Sequence, residues 1–252
     1  MRLKKLLPAL GLAAGLVMGA NAFAAPINAN NARPIPIGLS AETTMQQILD
    51  QVFTPGSVSA INDQQSAGMW GSSSPVFPTV TPVLSFEFSA NAGTNSLGLW
   101  AGTDTSSVVT RTLFNGTASL GTRATIAWTD ADSGVIVRIG GNPGDVVEGA
   151  FTGIPWSSFG FFLSGPGTGG NNFYTADQLN GGNAYSLAYR GAGVNGTNWV
   201  IGFEDSVGDR DFQDLVIRVE SVVAAVPEPA TLLLLGAGLL GFGGLAKRRR
   251  SA

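Results

Sequence analysis

Trp199-Val200-Ile201-Gly202-Phe203-Glu204-Asp205-Ser206-Val207-Gly208-Asp209-Arg210-Asp211-Phe212-Gln213-Asp214-Leu215-Val216-Ile217-Arg218-Val219 places two apolar, β-branched and aromatic runs on either side of an acidic turn. Runs of this composition and length, bounded by Gly and Asp, are read as strands, here over 199–204 and 214–219. The pattern recurs upstream over 83–88, 96–100, 108–114, 122–128, 134–139, 158–163 and 184–190. Turn residues separate the runs, as in Asn91-Ala92-Gly93 and Gly140-Gly141-Asn142-Pro143-Gly144. About nine strands at this spacing predict an all-β fold, an antiparallel, jelly-roll-like β-sandwich rather than a parallel α/β sheet.

Ahead of the strands, Met45, Ile48, Leu49, Val52 and Phe53 recur at helical spacing. Ser40 is the expected cap and Pro55-Gly56 the stop of one short helix, which packs on the domain and carries no chemistry. No long internal repeat is visible, so 40–221 is expected to be one domain, with 25–39 a polar lead and 222–226 a linker.

The chain has 252 residues, 44% of them hydrophobic and only 12% charged, enough to bury a core. It has 35 Gly, no Cys and no His. That absence removes disulfides, thiolate nucleophiles, imidazole bases and the usual zinc or copper ligands together. A domain of this size needs no disulfides, so the lack of Cys is compatible with export.

Both ends have the composition of targeting segments. Arg2, Lys4 and Lys5 precede an apolar stretch over 6–20, and Ala22-Phe23-Ala24 forms an A-x-A site before Ala25. This is the pattern of a secretory signal peptide over 1–24, cut by signal peptidase after Ala24. At the other end, Pro227-Glu228-Pro229 leads into an apolar run over 230–246 and then Lys247-Arg248-Arg249-Arg250. A helix over that run is about 25 Å long at ~1.5 Å per residue, marginal for a bilayer, and its basic end would stay cytoplasmic. A permanent anchor would explain the hydrophobicity and the basic end but not the Pro-Glu-Pro.

The three ordered elements over 227–252 resemble the PEP-CTERM sorting signal. The resemblance implies processing by an exosortase, a membrane protease or transpeptidase of Gram-negative bacteria that often also make exopolysaccharide. Anchoring in the inner membrane would then be transient, with the mature protein ending near Pro227 and destined for the cell surface or a biofilm matrix. Removing the seven basic residues of the two ends from 14 leaves 7, and removing Glu228 from 17 acids leaves 16, for a net charge of −9. Such a domain is a poor nucleic-acid binder and is suited to a divalent cation.

Five carboxylates fall within the eleven residues 204–214: Glu204, Asp205, Asp209, Asp211 and Asp214. Like charges at that density repel unless solvent or a cation relieves them. Asp209, Asp211 and Asp214 follow a D-x-D-x-x-D spacing, and a hard divalent ion takes about six to eight oxygens, which carboxylates and backbone carbonyls of such a loop can supply. Structural Ca2+ is the expected cofactor, with these five residues as candidate ligands. The alternative is an ion-free hairpin in which Asp caps turns and Arg210 pairs with a neighbour. The spacing is not that of an EF-hand.

The same residues carry a second resemblance. Residues 201–205 and 208–216 are similar to the signature of DUF4114, a domain of secreted bacterial proteins, and the similarity extends upstream through 95–100, 159–163 and 173–180. It implies a surface or matrix domain, often presumed to bind calcium. Relatives carry a His shortly after 180, where this chain has Ala184 and Tyr185.

Other features suggest less. Asp130 and Asp132 beside Trp128 are half of a glycosidase-like acid pair or a turn. Trp70, Trp100, Trp128, Trp156 and Trp199 form a sugar-stacking platform or core. The Gly-rich 165–170 stretch lacks the Lys of a phosphate loop and is a turn. The expected function is that of a non-catalytic, exported surface or matrix protein. A carbohydrate-binding module of an exopolysaccharide matrix and a His-free hydrolase are the alternatives.

Overall fold

The computed structural model describes residues 30–38, 42–87, 93–102, 106–116, 118–139, 147–191, 197–208 and 210–225. The expected signal peptide with Ala22 and Ala24, the cap Ser40, Asp209, and the tail with Pro227, Glu228, Pro229 and Lys247 to Arg250 lie outside them. One helix, α1 (Met45–Val52), precedes β1 (Gln64–Gln65), β2 (Trp70–Ser72), β3 (Thr79–Glu87), β4 (Ser96–Ala101), β5 (Val109–Phe114), β6 (Arg123–Trp128) and β7 (Gly134–Ile139). There follow β8 (Val147–Phe151), β9 (Gly160–Ser164), β10 (Asn172–Tyr174), β11 (Ser186–Arg190), β12 (Trp199–Phe203), β13 (Leu215–Glu220) and β14 (Val222–Ala224).

All pairings are antiparallel. Eight strands form one sheet in the order β1-β11-β12-β13-β3-β6-β7-β8, four form a second in the order β10-β9-β4-β5, and β14 pairs with β2. Leu97, Leu99, Phe161 and Leu163 from the smaller sheet join Ile126, Trp199, Ile201, Phe203 and Ile217 from the larger in one buried cluster. The two sheets therefore share a core, as the layers of a sandwich do. The strand order is not that of a jelly roll: β6-β7-β8 and β11-β12-β13 run as local meanders within one sheet, each strand pairing with its neighbour in sequence.

The outer face of the large sheet is also covered. Along β11 and β12, Ala188, Trp199, Ile201 and Phe203 face the inter-sheet core, while Leu187, Tyr189 and Val200 pack with Met45, Ile48 and Leu49 of α1. Burial on both faces explains why 199–203 is apolar throughout instead of alternating. The helix begins at Thr44, whose side chain accepts from Gln47 N while Gln47 Oε1 accepts from Thr44 N at 2.8 Å, a capping box. Thr44 is thus the cap, four residues after the expected Ser40.

All nine expected strands are present, with shifted ends. The strands not anticipated among the described residues are β1, β2, β8, β10 and β14; all but the five-residue β8 have only two or three residues, too short for a periodicity to register. One of them corrects the expected linker: Val222–Ala224 pairs with Trp70–Ser72, and Val222 is buried in the core.

The polar lead is fastened to the domain. Arg33 Nη1 and Nη2 donate to Asp177 Oδ2 and Oδ1 at 3.0 and 3.1 Å, with side chains 2% and 1% exposed. Asn30 accepts from Asp177 N at 2.9 Å and donates to Thr175 O at 2.8 Å, and Gln64 bonds both N and O of Ile35. Removing one partner of a buried, bidentate pair strands the other charge. Arg33→Ala is therefore expected to cost about 3–5 kcal/mol in urea unfolding, whereas the double change Arg33→Met/Asp177→Leu recovers most of that loss.

A candidate metal centre in the 204–214 loop

The register pair Phe203↔Leu215 closes the base of the β12–β13 hairpin, so Glu204 and Asp214 leave the sheet side by side. Between them the chain reverses through two residues in the left-handed region, Arg210 at φ 60° and Phe212 at φ 59°. Such a conformation is costly for side-chain-bearing residues and needs an anchor. The anchor is Phe212 itself, fully buried against Met45, Ile48 and Val216. A Cβ at Gly202 would collide with Phe212 O and Met45 Cε, so the close approach requires glycine there. The lead adds a strap, Gly38 N donating to Arg210 O at 2.8 Å.

With Phe212 turned inward, its neighbours follow. Carboxylate oxygens of Glu204, Asp211 and Asp214 lie within 4.8 Å of one another. Glu204 is 1% exposed and Asp211 4%, and Asp214 is partly buried. Phe212 N donates to Glu204 Oε2 at 3.4 Å. Gln213 holds Asp211 through its backbone N, at 3.4 Å from Oδ1, and its Nε2, at 3.0 Å from Oδ2; the same Nε2 reaches Glu42 Oε2 at 3.4 Å.

Asp205 is also buried but its side chain serves another contact: Oδ2 accepts from Asn95 Nδ2 at 3.0 Å, while its backbone N donates to Asp214 Oδ2 at 2.8 Å. Of the five expected ligands the structure thus brings together Glu204, Asp211 and Asp214, ties Asp205 to Asn95 and leaves Asp209 outside the described residues. Sequence reading missed Asn95, Gln213 and Glu42. Gln213 lay inside the quoted motif and could have been weighed as a carboxylate holder; Asn95 and Glu42 are remote in sequence and gave no local signal.

Burial is the largest influence on Asp214, pushing its carboxyl up to about 6, with the like charges of Asp205 and Asp211 acting in the same direction. The Asp205 N–H and a hydrogen bond with Glu204 pull it partly back. Three converging carboxylates, two of them buried, form an all-oxygen donor set suited to a hard cation; backbone carbonyls and water would supply the remaining ligands.

The other candidates resolve into structure. Asp130 and Asp132 are exposed in the β6–β7 turn, where Thr129 N and Asp130 N donate to Ser133 O and Ser133 Oγ donates to Asp130 Oδ2. Trp70, Trp100, Trp128 and Trp199 are buried and Trp156 packs beside the core, so they form no exposed platform. The 165–170 stretch is a turn closed by Thr168 Oγ1 donating to Gly165 O and Asn171 O.

Among known proteins, no curated sequence and no solved structure matches this chain, and the comparisons lend no support to the DUF4114 resemblance. Residues 225–250 match the PEP-CTERM protein-sorting motif. That motif implies export, transient membrane anchoring at the C terminus and an exosortase as the processing partner.

Proposed function

We propose that this chain is a non-catalytic surface or matrix protein of a Gram-negative bacterium, released from its membrane tail by an exosortase, whose 204–214 loop holds one structural calcium ion. The observation that carries the ion is the convergence of Glu204, Asp211 and Asp214 within 4.8 Å, two of them buried. Bringing buried like charges together is unfavourable, and a divalent cation offsets it. Calcium suits an irregular loop better than magnesium, which demands near-ideal octahedral geometry. Glu204, Asp211 and Asp214 are the proposed ligands, Asp209 a further one. In this reading the ion fixes the return of the chain between β12 and β13, and the acids do no proton transfer.

Calorimetric titration of the full chain in neutral detergent is expected to show one saturable calcium site, with Kd on the order of 10⁻⁴–10⁻³ M as in other extracellular modules. At 100 times Kd the ion stabilises the fold by about 2.7 kcal/mol, read as a higher Tm. Asp211→Asn is expected to raise the Tm of the ion-free protein, by relieving repulsion, and to abolish the calcium-dependent rise. No heat and no thermal shift at about 100 mM calcium, 100 times the weakest expected Kd, would remove the ion from this reading.

The raised Asp214 carboxyl sets the pH dependence. In the ion-free protein the folded state holds this proton more tightly than the unfolded chain does, so the contribution to stability is greatest below about pH 4, falls as pH rises toward 6, and is level above it. Calcium competes with the same proton, so its affinity should be constant above pH 6 and fall by about tenfold per unit below it. An affinity unchanged between pH 7 and 5 would exclude Asp214 as a ligand.

For the tail, intact mass spectrometry of protein exported by the native host should show the sequence ending near Pro227. Replacing Pro227, Glu228 and Pro229 by Ala should leave 230–252 attached and the protein in the membrane fraction. A wild-type protein that keeps its tail would refute exosortase processing.

A further inference from the structure

On one margin of the sandwich, away from the β12–β13 hairpin that carries the acidic loop, the two sheets end in β5 and β8. Between these edges lies a groove of about 420 Å³. Its floor is Leu113 and Ile136, and its walls include Arg111, Arg138, Thr110, Thr112 and Asn115. Arg111 pairs in register with the core residue Leu99, and Arg138 stands two residues from Ile136, so both arginines lie on the inner faces of their strands.

The two side chains reach across the gap from opposite sides. Arg111 extends from β5 to β8, where a Cβ at Gly149 would sit 2.5 Å from Nη2, so the missing side chain there makes room for the guanidinium. Arg138 extends from β7 to β5, with Nη1 donating to Leu113 O at 3.4 Å and a buried Nε that has no hydrogen-bond partner. Among the side chains described, none of the ion pairs formed involves either guanidinium. In a domain whose charge is strongly negative, two such arginines facing one groove set up a local positive field that an anion would relieve.

We propose that this groove binds a sugar acid, its two guanidiniums clasping the carboxylate and its polar wall and the unpaired backbone row of edge strand β5 receiving ring hydroxyls. Guanidinium forks match a planar carboxylate in bidentate geometry. The volume falls within the roughly 300–1,000 Å³ of small-molecule sites and, at about 30 Å³ per water, far exceeds what a bare inorganic anion fills. The proposal is independent of the calcium site, since it shares no residue with it.

The test titrates the full chain, in neutral detergent, with glucuronate, glucose, inorganic phosphate and a galacturonate tetramer, following binding by calorimetry. Glucuronate should bind saturably and weaken with added salt; glucose should be silent and phosphate at least about tenfold weaker. Arg111→Met should lose about tenfold or more at unchanged Tm, because that side chain is exposed, and Arg111→Lys should recover little, since an ammonium lacks the fork. A tetramer that binds tighter than glucuronate identifies a polymer as the source and equal binding identifies a free monomer; both support the site. No glucuronate binding by the folded protein, binding unchanged in Arg111→Met, or phosphate binding as tight as glucuronate would overturn it. Those outcomes would leave the arginines as inward charges that guard two sheet edges against pairing.

Discussion

The inward burial of Phe212 against α1 is the contact on which the acidic loop depends. The two left-handed residues Arg210 and Phe212 cost of the order of 1–3 kcal/mol each, and full burial of one Phe contributes about 1.5–3 kcal/mol. The remainder comes from the hydrogen bonds around it, from Phe212 N to Glu204 and from Gly38 N to Arg210 O. Once Phe212 is seated, Asp211 and Gln213 have no freedom to point outward, and the carboxylates meet as a consequence of apolar packing.

That arrangement explains why the helix and lead belong to the same device. α1 supplies Met45 and Ile48 as the floor under Phe212, Glu42 just ahead of it touches Gln213, and the lead reaches Arg210. The lead is itself locked through Arg33 to Asp177, in the turn that precedes β11. A hairpin loop that is local in sequence is therefore held from three remote segments, which is how a loop in a strained conformation stays in one state.

How much of this was legible in the sequence follows from the range of each interaction. Alternation and β-branched runs revealed the long strands, and 3.6-residue spacing revealed α1, because those signals come from a residue's own neighbours. Gln64–Gln65 and Val222–Ala224 were silent: two or three residues show no period, and their strand character comes from the partners Ala188–Tyr189 and Trp70–Ser72. The acidic loop announced itself through charge density, yet which acids converge did not, since Asp205 is claimed by Asn95 some 110 residues away. Arg111 and Arg138 looked like ordinary strand residues, because their meeting depends on two sheet edges that only the complete topology brings face to face.

The same topology keeps the two charged sites apart. β13 and β8 are separated by β3, β6 and β7 in the large sheet, four steps of about 4.8 Å, or roughly 19 Å. At physiological ionic strength the screening length is about 8 Å, so the carboxylates of the loop and the guanidiniums of the groove exert little direct force on each other. Any coupling between them would have to pass through the packed sheet, and sites this far apart without shared partners ordinarily act additively. A domain with so few charges can thus hold a concentrated negative site and a concentrated positive one without either neutralising the other, because the rigid sheet fixes a distance that flexible side chains cannot close.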